Sequence, residues 1–216
     1  MIKVPTDPRE VEGLRLLRTG YFLQIIFAVV FAVASILLFT GFSALFNPFA
    51  PGQAAAFVIA IVVFLIAAFG IGLYIVIRYF GGGYRLLAEV DSDFKICLTG
   101  IRLYLIGIPL IFVGGLVAIG ALAAMLVMSP TALWAIGYPA GIAILIIGTI
   151  IAFIGYILFG IVGPFKLNSR YEESLLFIGA IFMIIGLLIP ILIIVGVILI
   201  YMGIGHILER KPAPGP

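Results

Sequence analysis

The sequence predicts an all-α fold, a polytopic transmembrane helical bundle of about five spans built from parallel repeats of about 80 residues. Three observations predict it. Hydrophobic residues make up 65% of the 216 and charged residues 10%, against about 45–50% and about 25% in a soluble globular chain. Mean hydropathy is +1.39, which leaves too little polar surface to cover a water-soluble fold. Apolar stretches run 21–46, 54–80, 101–128, 132–162 and 174–208, and each exceeds the roughly 20 residues that cross a hydrocarbon core of about 30 Å. A single membrane domain is expected over 1–208, with a polar tail at 209–216.

The first element opens on Asp7-Pro8-Arg9-Glu10, with Asp at the N-cap, Pro at N1 and Glu at N3 of a helix. Its charges are spread along the chain before any apolar run, so no cleavable signal peptide is expected. The second element ends at Gly81-Gly82-Gly83, read as a helix terminator. A phosphate loop would need a following Lys-Ser/Thr and a preceding strand. Asp91 or Asp93 is placed to cap the third element.

That third element carries Gly100, Gly107 and Gly114, seven residues apart, beside a lone Arg102. Lys95 precedes Arg102 by seven residues and shares its helical face. Both are read as interfacial anchors whose long side chains snorkel to the membrane surface. The fourth element starts at Ser129-Pro130, an N-cap and N1 pair. It repeats the seven-residue spacing at Gly141, Gly148 and Gly155, and Gly137 and Gly141 form a GxxxG. Small residues let membrane helices approach closely, where dispersion replaces the hydrophobic effect that lipid cannot supply. A period of seven favours a left-handed seam. Gly100, Gly107, Gly114, Gly137, Gly141, Gly148, Gly155, Gly179 and Gly186 are therefore expected at helix contacts, the rival being a glycine-lined pore or gate.

Ser169 and Glu172 have capping-box spacing for the start of the fifth element. A straight helix over 174–208 would be about 52 Å long, and Pro190 interrupts its backbone bonding midway. One kinked helix, giving five spans, is the preferred expectation. A tight hairpin, giving six, is the alternative and would return the tail to the side of the N-terminus.

Gly20, Gly100 and Gly179 lie 80 and 79 residues apart and open similar passages, RTGYFLQIIF, LTGIRLYLIGIPLIFVGG and FIGAIFMIIGLLIPILIIVG. The return segments AFGIGLY and AFIGY also resemble each other. Repeat units are placed at roughly 7–84, 85–164 and 165–208, the last truncated. Each full unit crosses twice, so successive units re-enter with the same orientation, unlike inverted transporter repeats.

The net charge of +3 does not point to nucleic acid, because the cations sort by loop. With five spans, ten of the twelve fall on one side and the connections NPFAPGQ and SPT carry none. The positive-inside rule makes that side, and the N-terminus, cytoplasmic, with the plasma membrane the expected location. Abundant isoleucine and scarce Asn and Gln lean towards a thermophile.

Chemistry-bearing residues are sparse. All nine acids lie in termini or connectors, against the intramembrane Asp or Glu of proton-coupled pumps. One histidine, His206, and one cysteine, Cys97, make no metal site of ordinary ligand count. His206 is read as an interfacial polar residue. No GxSxG surrounds a serine, so no catalytic, cofactor-binding or metal residue is expected. Arg78, Arg85, Lys95 and Arg102 remain as candidate contacts to lipid head groups or the membrane interface.

The C-terminal passage runs from a tyrosine-rich helix end through a polar connector to Phe177-Ile178-Gly179-Ala180-Ile181, then Ile185-Gly186 and Gly196. It resembles the end of a mainly archaeal family of multi-pass membrane proteins, domain of unknown function nine hundred ninety-six, mostly over the last fifty residues. The resemblance implies an archaeal plasma-membrane protein and supplies no activity. The function expected is that of a non-catalytic integral membrane protein, a scaffold or accessory subunit of a membrane assembly. Its partners would be membrane lipid and either copies of itself or a larger complex. A carrier or channel for an uncharged or lipophilic solute, and an interfacial lipid-acting enzyme, are the alternatives.

Overall fold

A computed structural model describes residues 4–41, 63–64, 66–127 and 132–210. These residues are helical almost throughout, with no strand among them. Among the described residues there are six helices: α1 (Pro8–Gly41), α2 (Ile66–Val90), α3 (Lys95–Val127), α4 (132–171), α5 (Ser174–Gly186) and α6 (Ile191–Glu209). They pair as three antiparallel hairpins, α1 with α2, α3 with α4 and α5 with α6. All but α5 are long and apolar enough to cross a membrane.

The capping chemistry of Asp7 starts α1: its Oδ1 accepts from the Arg9 N–H at 2.8 Å, and its carbonyl accepts from Glu10 at 3.0 Å. Pro8 at the first position loses no intrahelical bond. Asp91, in extended conformation, separates α2 from a short 3₁₀ turn at Ser92–Phe94 and caps that turn by accepting from Asp93 N–H at 3.0 Å. Ser129-Pro130 lies outside the described residues.

Two expected boundaries move. The Gly81–Gly83 triplet does not end a helix. A π-helical turn at Val76–Gly81 leads straight into α-helix over Gly82–Val90, because a bare backbone here lets α1 approach. The Ser169–Glu172 spacing does not start one either. Helix α4 passes through its own π turn at Ile157–Ile161 and continues over Val162–Tyr171. Glu172 then ends it in the left-handed conformation (φ 53°), its N–H bonded to Asn168 C=O at 2.8 Å, the αL stop usually taken by glycine.

The preferred kinked helix over 174–208 is also overturned, and the hairpin alternative is what forms. Pro190 has no N–H to continue α5 and its ring would meet the carbonyl of Gly186. The chain therefore turns through Leu187–Pro190, with Leu188 and Ile189 N–H both bonded to Ile185 C=O. At Gly186 the absent side chain leaves room for Ile193, whose N would lie 2.7 Å from a Cβ there. Helix α5 spans about 20 Å, short of the hydrocarbon core. Pro109 and Pro139, by contrast, sit inside continuing helices.

Burial is concentrated at one end. The deepest side chains include Leu14, Leu17 and Tyr21 of α1, Tyr84 and Leu87 of α2, Phe94 before α3, and Leu167 and Tyr171 of α4. Most lie in the turns near the charged connectors. Farther along, the outward faces are exposed at Val29, Val33, Leu116, Ile119, Ile146 and Ile150, while the α3–α4 seam stays buried at Gly114, Ala118 and Gly141.

Candidate functional site

The bare glycines line up in pairs across each hairpin. In α3 and α4, Gly100 faces Gly155, Gly107 faces Gly148 and Gly114 faces Gly141. A Cβ built on either member would come within 2.6–2.9 Å of the other's carbonyl oxygen, closer than real side chains pack. Gly107 and Gly155 are the tightest of these, their would-be Cβ atoms 2.4 Å from Ala152 N and Tyr104 N. Gly137 is looser, meeting only the Ala121 Cβ at 3.2 Å. Gly179 pairs in the same reciprocal way with Gly196, and Gly13 with Gly83. Gly13, Gly83 and Gly196 are not among the glycines expected at helix contacts, although Gly13 stands seven residues before Gly20. Gly70, Gly72, Gly115 and Gly120 have nothing within 4 Å.

A collar of ion pairs joins the three hairpins at their charged end. Glu10, 4% exposed, accepts from Tyr171 Oη at 2.6 Å and from Arg170 Nε at 2.7 Å. Arg170 also donates to Asp91 at 2.6 Å, and Lys166 to Asp93 at 3.0 Å. Arg210 donates to Glu173 at 2.5 Å and to the Tyr171 carbonyl at 2.6 Å. His206 Nδ1 lies 3.5 Å from the same Glu173. The sequence reading placed all acids outside the spans but missed that two of them, Glu10 and Glu173, are buried. The Asp93 N–H, then the Arg170 guanidinium, hold the Asp91 carboxyl below its ordinary value, because both favour its charged form.

Between the two π turns lies a cavity of about 140 Å³ lined by Gln24, Phe80, Tyr104, Tyr156 and Phe159 among others. The rings of Phe80, Tyr104 and Tyr156 sit 5.4–5.9 Å from that of Phe159. Next to it, Tyr84 donates to the Phe159 carbonyl at 2.9 Å. Its hydroxyl occupies the space a Cβ on Gly163 would need. Phe159 lies within the π turn at Ile157–Ile161, a departure from α-helix of the kind that often marks a functional position.

Of the four candidate interface cations, Arg78 and Arg85 line one open groove with Tyr74, Ile77, Gly81 and Gly82. Lys95 and Arg102 are exposed on α3 and do not line that groove. Among the described residues, no group of three or more His, Cys, Asp or Glu side chains is arranged to hold a metal.

Residues 10–214 match the family described as Protein of unknown function (DUF973). The chain belongs to this family. The match is to a differently numbered family from the one the C-terminal passage resembles, and it covers nearly the whole chain, not its last fifty residues. No curated protein and no solved structure matches. Five helices long and apolar enough to cross a membrane make this an integral membrane protein, and the match places it in an uncharacterised family.

Proposed function

We propose that this family member is a non-catalytic scaffold or accessory subunit, assembling with copies of itself or with other membrane proteins. The observation that carries the reading is the uneven burial. In the most apolar window of each spanning helix only 11–39% is buried, while the charged end is packed and ion-paired. Such hairpins are joined to one another at one end and offer long apolar flanks to neighbours within the bilayer. In lipid, association between such flanks is driven by close packing rather than by water exclusion.

The same reading takes the collar end as cytoplasmic and the membrane as the plasma membrane. Its support is that all ten described cations, from Arg9 to Arg210, lie towards that end, as the positive-inside rule expects. The reciprocal glycine pairs of all three hairpins, and the π turns shared by α2 and α4, support parallel repeats with a shortened third unit. The bare seams at Gly107 and Gly148 are then structural contacts and not a gate.

One observation favours a carrier for an uncharged or lipophilic solute, namely the aromatic cavity beside the π turns. Two measurements separate the readings. Extraction in mild detergent followed by mass determination is expected to give a defined oligomer or a stoichiometric complex. Vesicles carrying the protein are expected to show no flux of neutral solutes. A monomer that transports a neutral solute would overturn the scaffold in favour of the carrier.

A further inference from the structure

We propose that Arg18 holds the phosphodiester of an anionic membrane lipid in the cleft between α1 and α6. The cations of the collar are spoken for: Lys166, Arg170 and Arg210 each face a carboxylate. Arg18 is built differently. It stands ten residues into α1, about 15 Å from the helix start. Its guanidinium lies 5.0 Å from the centre of the Tyr201 ring on α6, within cation–π range. It rests against the bare backbone of Gly205, where a Cβ would meet Nη2 at 3.0 Å.

The side chain is thus held in place by packing, yet it forms no ion pair among the described residues. Its Nε is sealed from solvent with no hydrogen-bond partner among them. A fixed, part-buried guanidinium with no carboxylate partner is costly unless an anion reaches its groove-facing side, and its planar fork suits phosphate oxygens. The groove beside it, about 300 Å³, is lined by Arg18, Thr19, Phe22 and Tyr201 and is open on one side.

The surroundings select a lipid over a soluble anion. Phe22 is 46% exposed, and Ile26 and Val29 continue the same side of α1 outward, also exposed. A ligand that places its phosphate on Arg18 lays an acyl chain along this apolar track. Basic clefts between membrane helices recognise lipid head groups in this manner. The inference stands whether or not the scaffold reading holds.

Native mass spectrometry of the full chain, with added phosphatidylglycerol or phosphatidylcholine, tests it. The wild type is expected to retain one phosphatidylglycerol in preference to phosphatidylcholine. Arg18→Gln should weaken that binding about tenfold, the scale of one charge-assisted contact. Tyr201→Leu keeps the charge but removes the ring that seats the guanidinium, and should weaken binding in the same direction. Gly205→Ala, whose Cβ would meet Nη2 at 3.0 Å, shifts the guanidinium by a few tenths of an ångström and should weaken binding less than Arg18→Gln. Arg15→Gln, one turn back and exposed, should leave binding within about twofold. Equal losses from Arg15→Gln and Arg18→Gln would show only a diffuse basic belt and overturn the site. So would unchanged binding in Arg18→Gln. Competition by inorganic phosphate at matched concentration would assign the seat to a free anion and overturn the lipid.

Discussion

Asp91 shows how much one connector residue does. Its carboxylate caps the turn before α3 through Asp93 N–H and receives Arg170 from α4. Both contacts need the charged form, so its folded-state value lies below the unfolded one, about 3.9. The stabilisation is therefore complete above that pH and is lost as pH falls through the lowered folded value. Thermal unfolding in detergent should be flat from neutral pH to about 5 and fall below about 4. Asp91→Asn should lower stability at neutral pH and flatten part of that acid-side fall. An acid slope unchanged by the substitution would remove Asp91 from the account.

Which capping residues the sequence exposes follows from how local the interaction is. Asp7 and Asp91 bond to backbone within two residues, and the sequence spacing finds them. Ser169 and Glu172 have the same spacing but lie where α4 overruns its expected end, so the pattern misleads. Glu10 and Glu173 have partners on other helices, 161 residues away in the case of Tyr171. No local signal marks them as buried.

At the scale of elements, the contrast between Pro109 and Pro190 is instructive. Both follow a glycine of the seam, yet α3 runs on to Val127 while α5 stops. Proline alone does not decide. Beyond Pro109 the seam has another rung, Gly114 against Gly141, and continuing the helix keeps that contact. Beyond Gly186 the returning chain is already at hand in Ile193, and the turn closes. The sequence shows the seven-residue spacing and the helix type of every span, but not which returning helix meets which glycine.

The hairpin has a direct consequence for topology. Cys97, the one cysteine, is buried, which gives a clean background for labelling. Cysteines placed at the exposed positions Glu89, Glu172 and Glu209 should all react with a membrane-impermeant maleimide from the same side. Protection of Glu209→Cys while the other two react would restore the kinked helix.

For the whole molecule, the collar and the seams divide the work. The α3–α4 seam holds its hairpin at three rungs from Gly100 to Gly114, the other two hairpins share one reciprocal glycine pair each, and the collar holds hairpin to hairpin. Arg170 is its central bond, facing Glu10 from the first hairpin and Asp91 from the connection into the second. Arg170→Met strands two carboxylates, one almost fully buried, and should cost about 3 kcal/mol of stability. A loss within about 0.5 kcal/mol in reversible unfolding, the range of an ordinary surface change, would show that the hairpins are held together otherwise.

Composition fixes the class of this molecule, since a chain this apolar must be covered by lipid. The bundle's internal order rests on contacts between bare backbones, and the seam between α3 and α4 is where these are closest. The most direct measurement is the thermal unfolding of Gly107→Leu beside Gly115→Leu in lipid discs. A side chain at 107 has no space, its Cβ lying 2.4 Å from Ala152 N and 2.7 Å from Gly148 O, whereas a Cβ at 115 meets nothing within 4 Å. Gly107→Leu is expected to lose about 1–3 kcal/mol as an overpacked contact, with Gly115→Leu at or slightly above the wild type. Equal, undisturbed unfolding of both variants would contradict the account.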